Sequence, residues 1–374
     1  MATLISLPFG MAGGGEKNAD GYRIPGPHPT LRFPADHGSH PGFRIEWWYL
    51  TGHLFSGERR FGMQSTFFRL AQRPNFDDAG RAFGDSQMYL AHFALTDVEG
   101  GRFLHEERLN RQGWDADAAV GDLHVRNGNW SLKRLSGLES LDGAGSMRLI
   151  GGVRSEALLD LELSPSKPAV VFGADGVSRK GDEPSAASLY ITFPRLTVSG
   201  SLRLGGIDLP VKGEVWMDHE VSSSQLGREQ VGWDWVSAQF FDSSEVMAYV
   251  LRKPDGSPDR HSTLAWIDAE GRVTHLKVDE FIWEPDGIWE SAGTGGRYPI
   301  RPRFGAVDPQ TGRERRFSLR PVMDGQEMTG GLGGVAYWEG ACDVLDESGI
   351  EVGRAYLELT GYTGDDLQKR LRGG

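Results

Sequence analysis

Three short stretches of the chain bring titratable and aromatic side chains together at β-strand spacing. The first is Glu214-Val-Trp216-Met217-Asp218-His219-Glu220, where three adjacent ionisable residues follow a tryptophan and a methionine. On a strand His219 faces one side and Asp218 and Glu220 the other. A carboxyl or imidazole whose pKa burial and neighbours bring near working pH is a general acid or base. Asp218 and His219 are therefore candidate catalytic residues. The plainer reading is a buried carboxylate that accepts backbone N–H bonds where the strand leaves one domain for the next. The second stretch is Asp36-His37-Gly-Ser-His40 followed by Glu46-Trp47-Trp48-Tyr49. Trp47, Tyr49, Thr51 and His53 share one strand face, and Glu46, Trp48 and Leu50 share the other. One face is expected to point into a barrel, as an apolar lumen with Tyr49 or Glu46 as its polar handle, or as rings that only fill a core. The third is Trp233-Asp234-Trp235 with Met247-Ala248-Tyr249. Trp233 and Trp235 oppose Asp234. Flat rings hold an extended apolar ligand, and their π-faces stabilise a carbocation; ordinary core packing is again the plainer reading.

Other chemistries find little support. His37 and His40 form an isolated pair in a Gly-rich loop, and the Asp-His-Glu run carries no metal-ligand spacing, so no metal is expected. The only cysteine is Cys342, which excludes an internal disulfide and a cysteine-based metal cluster. Gly331-Leu-Gly333-Gly334-Val-Ala336 matches a dinucleotide fingerprint, but Tyr337-Trp338-Glu339-Gly340 follows where that motif requires a helix. A Walker A sequence, a Gly-x-Ser-x-Gly elbow and His-Glu-x-x-His are all missing. No cofactor is expected.

The elements that must position these residues read as strands. Residues 45–54, 61–70, 88–97, 157–163 and 188–193 are short β-rich runs between turn residues, and strands resume at 211–219, 233–241, 245–252, 263–268, 273–283, 335–345 and 350–360. Leu159, Leu161 and Leu163 alternate with Asp160 and Glu162, the period of a half-buried strand. Asn127-Gly128 between two short runs predicts a hairpin, and Gly205-Gly206 a further turn. Only 365–372 reads as a short helix, with Asp365 as its cap. Roughly 16 to 20 strands suit two barrels of about eight to ten strands each. Glu46-Trp47-Trp48-Tyr49-Leu50 and Gly232-Trp233-Asp234-Trp235-Val236 echo one another at the start of each half. The expected division is an irregular segment 1–30, a first domain 31–222 and a second 223–374, with the boundary in the polar stretch Ser222–Gly227.

Composition agrees with an all-β chain. Of 374 residues 52 are glycine, about twice the usual ~7%. Eleven Trp, 18 Phe and 9 Tyr supply rings for an apolar interior. A net charge of −12 gives no footprint for nucleic acid or an anionic membrane surface. No apolar run approaches the ~18–20 residues that span a bilayer. Leu4 to Ala12 is mildly apolar but lacks a positive n-region and is broken by Pro8, so it is a poor signal peptide as written.

The motifs also resemble a known family. Phe33-Pro34-Ala-Asp36-His37 with Glu46-Trp47-Trp48-Tyr49, Ala91-His92-Phe93-Ala94, Trp216-Met217-Asp218-His219-Glu220, Gly232-Trp233-Asp234-Trp235, Tyr337-Trp338-Glu339-Gly340 and Tyr356-Leu357-Glu358-Leu359-Thr360-Gly361-Tyr362 resemble, in order from about residue 31 to 363, the AttH/CrtC-like family. The resemblance implies two lipocalin-like antiparallel β-barrel domains packed together with little helix. It covers carotenoid 1,2-hydratases, fungal lipocalin-like Diels–Alderases and bacterial members described as predicted secreted hydrolases or attachment-locus proteins encoded beside ABC transporters. A periplasmic or secreted location follows from the family, and a cytoplasmic one from the weak leader. In the hydratases an aspartate stands two residues after a tyrosine past the Trp-rich motif; here Tyr249-Val250-Leu251 lacks it, so Asp218, His219 or Asp234 would have to substitute. The expected ligand is an isoprenoid, polyene or lipid-like molecule in a barrel mouth or between the domains. Catalytic candidates are Asp218, His219, Asp234 and Tyr49. Binding candidates are Glu46, Trp47, Trp48, His92, Trp216, Trp233, Trp235 and Tyr249. Acid-assisted alkene hydration or cyclisation, a non-enzymatic envelope carrier serving an ABC transporter, and hydrolysis remain as alternatives, with hydrolysis least supported.

Overall fold

The computed structural model describes residues 16–74, 87–135, 144–331 and 335–364. The mildly apolar stretch 4–12 and the expected helix at 365–372 lie outside the described residues. Strands are β1 (Ile45–Ser56), β2 (Arg59–Ala71), β3 (Gln87–Asp97), β4 (Arg102–Arg111), β5 (Ala116–Ala118), β6 (His124–Asn127), β7 (Trp130–Arg134), β8 (Met147–Val153), β9 (Ala157–Pro165), β10 (Val170–Val171), β11 (Ser178–Arg179), β12 (Ala187–Leu204) and β13 (Ile207–Ser222). There follow β14 (Gly232–Phe240), β15 (Glu245–Arg252), β16 (Thr263–Ile267), β17 (Val273–Lys277), β18 (Phe281–Glu284), β19 (Ile288–Glu290), β20 (Arg297–Pro299), β21 (Arg303–Val307), β22 (Glu314–Pro321), β23 (Glu327–Met328), β24 (Tyr337–Asp346) and β25 (Glu351–Thr360). Among the described residues the only helical turn is a 3-10 turn at Ala35–His37, and no helix is long and apolar enough to cross a membrane.

The chain forms two nearly closed, antiparallel, barrel-like sheets. The first runs β4-β3-β2-β1-β13-β12-β9-β8-β7-β6-β5, with β10 and β11 added on β12. The second runs β17-β16-β15-β14-β25-β24-β22-β21-β18, with β23 on β24; β19 and β20 pair separately. In both, the first strand pairs with the second on one side and with the last on the other. The first sheet curls until β4 meets β6 through side chains. Asn110 Nδ2 donates to Asn127 Oδ1 at 2.6 Å, and the Arg108 guanidinium lies 3.9 Å over the Trp130 ring.

Strand periodicity sorts the residues into three layers. Trp48, Leu50, Leu54, Phe61, Met63 and Phe93 fill the first barrel, and Val236, Ala238, Trp338, Leu357 and Leu359 fill the second. The opposite faces of the same strands meet between the barrels, where Tyr49, Trp216, Trp235, Met247, Tyr249, Ala341 and Tyr356 form a third apolar layer. Strand β9 lies away from this interface and shows the alternation its sequence predicts: Leu159, Leu161 and Leu163 are buried while Leu158 and Glu162 are exposed. The Asn-Gly hairpin forms one residue later than expected. Asn127 joins the ladder opposite Trp130, leaving Gly128-Asn129 as the loop, with Gly128 at φ +63°. Gly205 and Gly206 (φ +57° and +86°) turn the long β12–β13 hairpin in a left-handed conformation that glycine adopts without strain.

Polar clamps fix the two sheets at the margins of the interface. Lys167 Nζ and Arg195 Nε each bond Glu245 at 2.7 Å, Arg60 Nη1 reaches Asp343 at 2.5 Å, and Thr96 Oγ1 donates to Gln326 Oε1 at 2.8 Å. The sheets come very close at Gly62 of β2, where an added Cβ would lie 2.6 Å from the Cβ of Ala341. Gly62→Ala is therefore expected to lower unfolding free energy by about 1–3 kcal/mol in urea titrations. The pair Gly62→Ala/Ala341→Gly should recover most of that loss, because the clash is with that one methyl.

Candidate functional site

A cavity of about 210 Å³ lies between the two sheets. Its walls follow from register. On the first sheet, His92 of β3 stands opposite Thr66 of β2, Thr66 opposite Tyr49 of β1, and Tyr49 opposite Asp218 of β13, which makes one row across four strands. A parallel row two residues along runs Leu90, Phe68, Trp47, Glu220 and Tyr190. On the second sheet, Tyr249 of β15, Trp235 of β14, Glu358 of β25 and Glu339 of β24 form the facing row. Every residue in these rows borders the cavity, whereas Thr192 of β12, next to Asp218 in the ladder, does not.

Three of the four carboxyls in these walls are held by neutral donors. Asp218 accepts from the Tyr190 hydroxyl at 2.7 Å, Thr192 Oγ1 at 2.5 Å and the Trp216 indole at 2.8 Å. Glu358 accepts from the Trp233 indole and from Thr360 Oγ1, both at 3.0 Å. Glu339 Oε1 accepts from the Tyr49 hydroxyl at 2.7 Å. Among the described residues no Lys, Arg or His nitrogen lies within ion-pair distance of Asp218, Glu339 or Glu358. Lys180 instead pairs with Glu220 at 3.4 Å and sits 3.7 Å over the Tyr249 ring.

Burial without a cation favours the protonated form of a carboxyl. Burial pushes Asp218 up to about 7, against the pull of its three hydrogen bonds. It pushes Glu358 up to about 7 as well, and Glu339 well above the usual carboxylate range, where Glu358 next to it adds repulsion. Burial also pushes His92 down to about 4, so its ring is neutral. The cavity thus presents carboxyl groups able to give and take protons near neutral pH, between indole and phenol faces.

The residues singled out from sequence divide between the two strand faces. Trp47, Tyr49, His92, Asp218, Trp233, Trp235 and Tyr249 border the cavity. Trp216 backs it: its ring is buried edge-on to Trp235, and its indole N–H orients Asp218. Glu46, Trp48 and His219 do not reach the cavity. The two-residue period turns them into the first barrel, where Trp48 stacks on His219 at 4.7 Å and His219 Nε2 lies 2.9 Å from Glu46 Oε1. Glu46 also takes Arg69 Nε at 2.8 Å and His40 Nδ1 at 2.8 Å. Burial alone would raise Glu46, but the Arg69 charge and the two imidazoles hold it well below the usual range. His40, Glu46 and His219 are metal-ligating types within 4.8 Å of one another. Both rings address the same Oε1 and a guanidinium holds Oε2, the arrangement of a buried ion network rather than of a coordination shell. Asp234 points into the second barrel, bound by Arg252 Nε at 2.9 Å, the Tyr362 hydroxyl at 2.8 Å and the Trp283 indole at 3.1 Å. It is committed to structure there.

Sequence reasoning missed Glu339, Glu358, Tyr337, Tyr190 and Lys180. Period-two spacing within Tyr337-Trp338-Glu339 and Tyr356-Leu357-Glu358 was available as a signal for three of them, Tyr337, Glu339 and Glu358. Lys180 sits in a polar loop and carries no such signal.

Residues 25–362 match the family model described as AttH-like. The chain belongs to the AttH-like family. It is 35% identical to a solved AttH protein from Nitrosomonas europaea, covering 89% of this chain and 97% of that one, with a TM-score of 0.77. Kievitone hydratase from Nectria haematococca has the same fold at 15% identity, covering 95% and 98%, with a TM-score of 0.65. CghA, solved with Sch210972, follows at 13% identity, 86% and 89% coverage, and a TM-score of 0.55. No curated protein matches the chain.

The Asp218 environment gives a pH prediction. Between about pH 4 and 7 the unfolded chain has lost the Asp218 proton that the folded chain keeps, so stability falls as pH rises and levels off above 7. Denaturation across this range should show wild type losing stability relative to Asp218→Asn, by at most ~1.4 kcal/mol per pH unit. A constant difference from pH 4 to 8 would show that Asp218 is already ionised in the fold.

Proposed function

We propose that the protein binds an apolar small molecule between its two barrels and adds water to an alkene of that molecule. The observation that carries this reading is a ring-lined cavity with three carboxyls in its walls, Asp218 and Glu339 buried and Glu358 half-buried, and no cation paired to them. Asp218 is the acid. Its proton passes to one alkene carbon, leaving a carbocation at the other. The faces of Trp47, Trp233 and Trp235 stabilise that cation electrostatically. Water adds to it, and the proton released by the resulting oxonium returns to the Asp218 carboxylate, which restores the starting state. One positioned acid contributes ~10²–10⁴-fold, and the remaining acceleration comes from holding the alkene against it. The name of kievitone hydratase and the Sch210972 complex of CghA support small-molecule chemistry on this fold. The envelope setting and transporter partnership implied by the family suit the carrier alternative instead.

Protein purified from its natural host, analysed by native mass spectrometry, is expected to release an apolar molecule. Incubating that molecule with fresh protein in H₂¹⁸O should yield a product heavier by one labelled water. Asp218→Asn should keep binding and lose about 10²–10⁴-fold in turnover. A molecule that leaves unchanged from wild type would assign the carrier function, and full turnover by Asp218→Asn would remove that residue from the mechanism.

A further inference from the structure

Resting on the reading of this cavity as the ligand site, a second polar station lies in its wall, away from Asp218. Glu339 is fully buried, and its two oxygens have different surroundings: Oε1 takes the Tyr49 hydroxyl, while Oε2 has no partner. Glu358 stands directly beside it on β25, so two carboxyls share one low-dielectric wall and cannot both ionise cheaply. Glu339 keeps its proton, and with Oε1 engaged as an acceptor the acid O–H belongs to the free Oε2. His92 gives a second case. Its Nδ1 faces the Tyr337 hydroxyl at 2.6 Å, and its Nε2 is buried without a partner. With Tyr337 donating to Nδ1, the neutral ring carries its hydrogen on Nε2. Both free donors belong to residues bordering the cavity. A buried donor left unmatched is destabilising, and a carboxylic acid kept neutral in an apolar site is a strong hydrogen-bond donor.

We propose that Glu339 and His92 form a subsite that donates hydrogen bonds to a carbonyl oxygen, so the ligand is an uncharged apolar molecule bearing a ketone, aldehyde or ester and not a pure hydrocarbon. The walls fit this class and disfavour a carboxylate ligand. Among the described residues Lys180 is the only cation bordering the cavity, and it is held by Glu220 and two tyrosine rings. An anion would find no spare positive charge in these walls and would carry its own charge into a low-dielectric compartment.

The test uses defined probes: β-ionone, a conjugated isoprenoid ketone; its deoxygenated hydrocarbon counterpart; and geranic acid, an anion of similar size. Binding to the full chain is read by quenching of tryptophan fluorescence, and the β-ionone carbonyl stretch by infrared difference spectroscopy. The ketone is expected to bind about tenfold more tightly than the hydrocarbon and than geranic acid, with its carbonyl band moved to lower frequency. Glu339→Leu should erase the ketone preference and return the band to its position in apolar solvent. Glu339→Gln, which keeps an N–H donor, should retain most of both. Equal binding of ketone and hydrocarbon by wild type, or an unshifted band, overturns the subsite while leaving the apolar cavity in place. Tighter binding of geranic acid overturns it in favour of an anion site. Failure of all three probes to bind removes the cavity reading and the subsite with it. The wild-type comparison decides the matter even if the leucine variant does not fold.

Discussion

The strands at the centre of this molecule, β1, the second half of β13 (215–222), β14, β24 and the second half of β25, pack on both faces, and everything at the site depends on that double burial. A strand with one wet face spends alternate residues on solvent, as β9 does with Asp160 and Glu162. Here the alternate residues face a second sheet instead. One face of each sheet closes its own barrel, and the other builds the wall of a shared compartment. Because side chains alternate strictly, a single register assignment sends Trp48, Leu50 and His219 inward and Trp47, Tyr49 and Asp218 outward. A slip of one residue would exchange the structural ion network for the cavity wall.

The same burial separates the two kinds of carboxylate in the protein. At the margins and inside the barrels, carboxylates meet cations: Glu245 takes Lys167 and Arg195, Asp343 takes Arg60 and Arg320, Glu46 takes Arg69, and Asp234 takes Arg252. These pairs lock the sheets and barrel ends. In the cavity, Asp218, Glu339 and Glu358 meet only hydroxyl and indole donors. Neutral donors satisfy lone pairs but do not repay the removal of a full charge from water, so the proton stays. Asp234 and Asp218 are equally buried and both carry three hydrogen bonds or more. Burial raises both carboxyls; the Arg252 guanidinium pulls Asp234 back down, and Asp218 has no such partner.

Much of the architecture was legible because two-residue periodicity and turn chemistry are local. The runs around Trp47, Leu90, Leu159, Asp218, Trp235 and Glu358 all became strands, and the turn at Gly205-Gly206 was placed correctly. Additional strands such as Val170–Val171, Ser178–Arg179 and Glu327–Met328 are too short to display a period and exist because a neighbour offers an edge. Which face of β1 would form the cavity was not legible. Trp47 and Trp48 are equally apolar, and hydrophobicity cannot distinguish a barrel interior from an interface between barrels. Asp218 stood out as one of three adjacent ionisable residues. Glu339 did not, since its character depends on Tyr49, 290 residues earlier, and on Glu358 across a strand pair.

The echo between Trp47-Trp48-Tyr49 and Trp233-Asp234-Trp235 takes on chemical meaning in three dimensions. Each motif lies on the first strand of its sheet, and each first strand pairs with the last. Tyr49 therefore stands beside Asp218, and Trp235 beside Glu358. The two halves contribute the same unit, a ring next to a cavity carboxyl, and face those units toward each other. The halves differ where the second unit's acid gains Glu339 as a neighbour on β24, while the corresponding position on the first sheet's far side, Thr192 of β12, is a hydroxyl that bonds Asp218. That asymmetry gives one wall a carboxyl with a full set of neutral donors, beside the Lys180-paired Glu220, and the other a pair of carboxyls with an oxygen to spare. A symmetric compartment would offer two equivalent acids and no direction; under the proposed function this one would separate the end where a proton moves from the end where an oxygen is held.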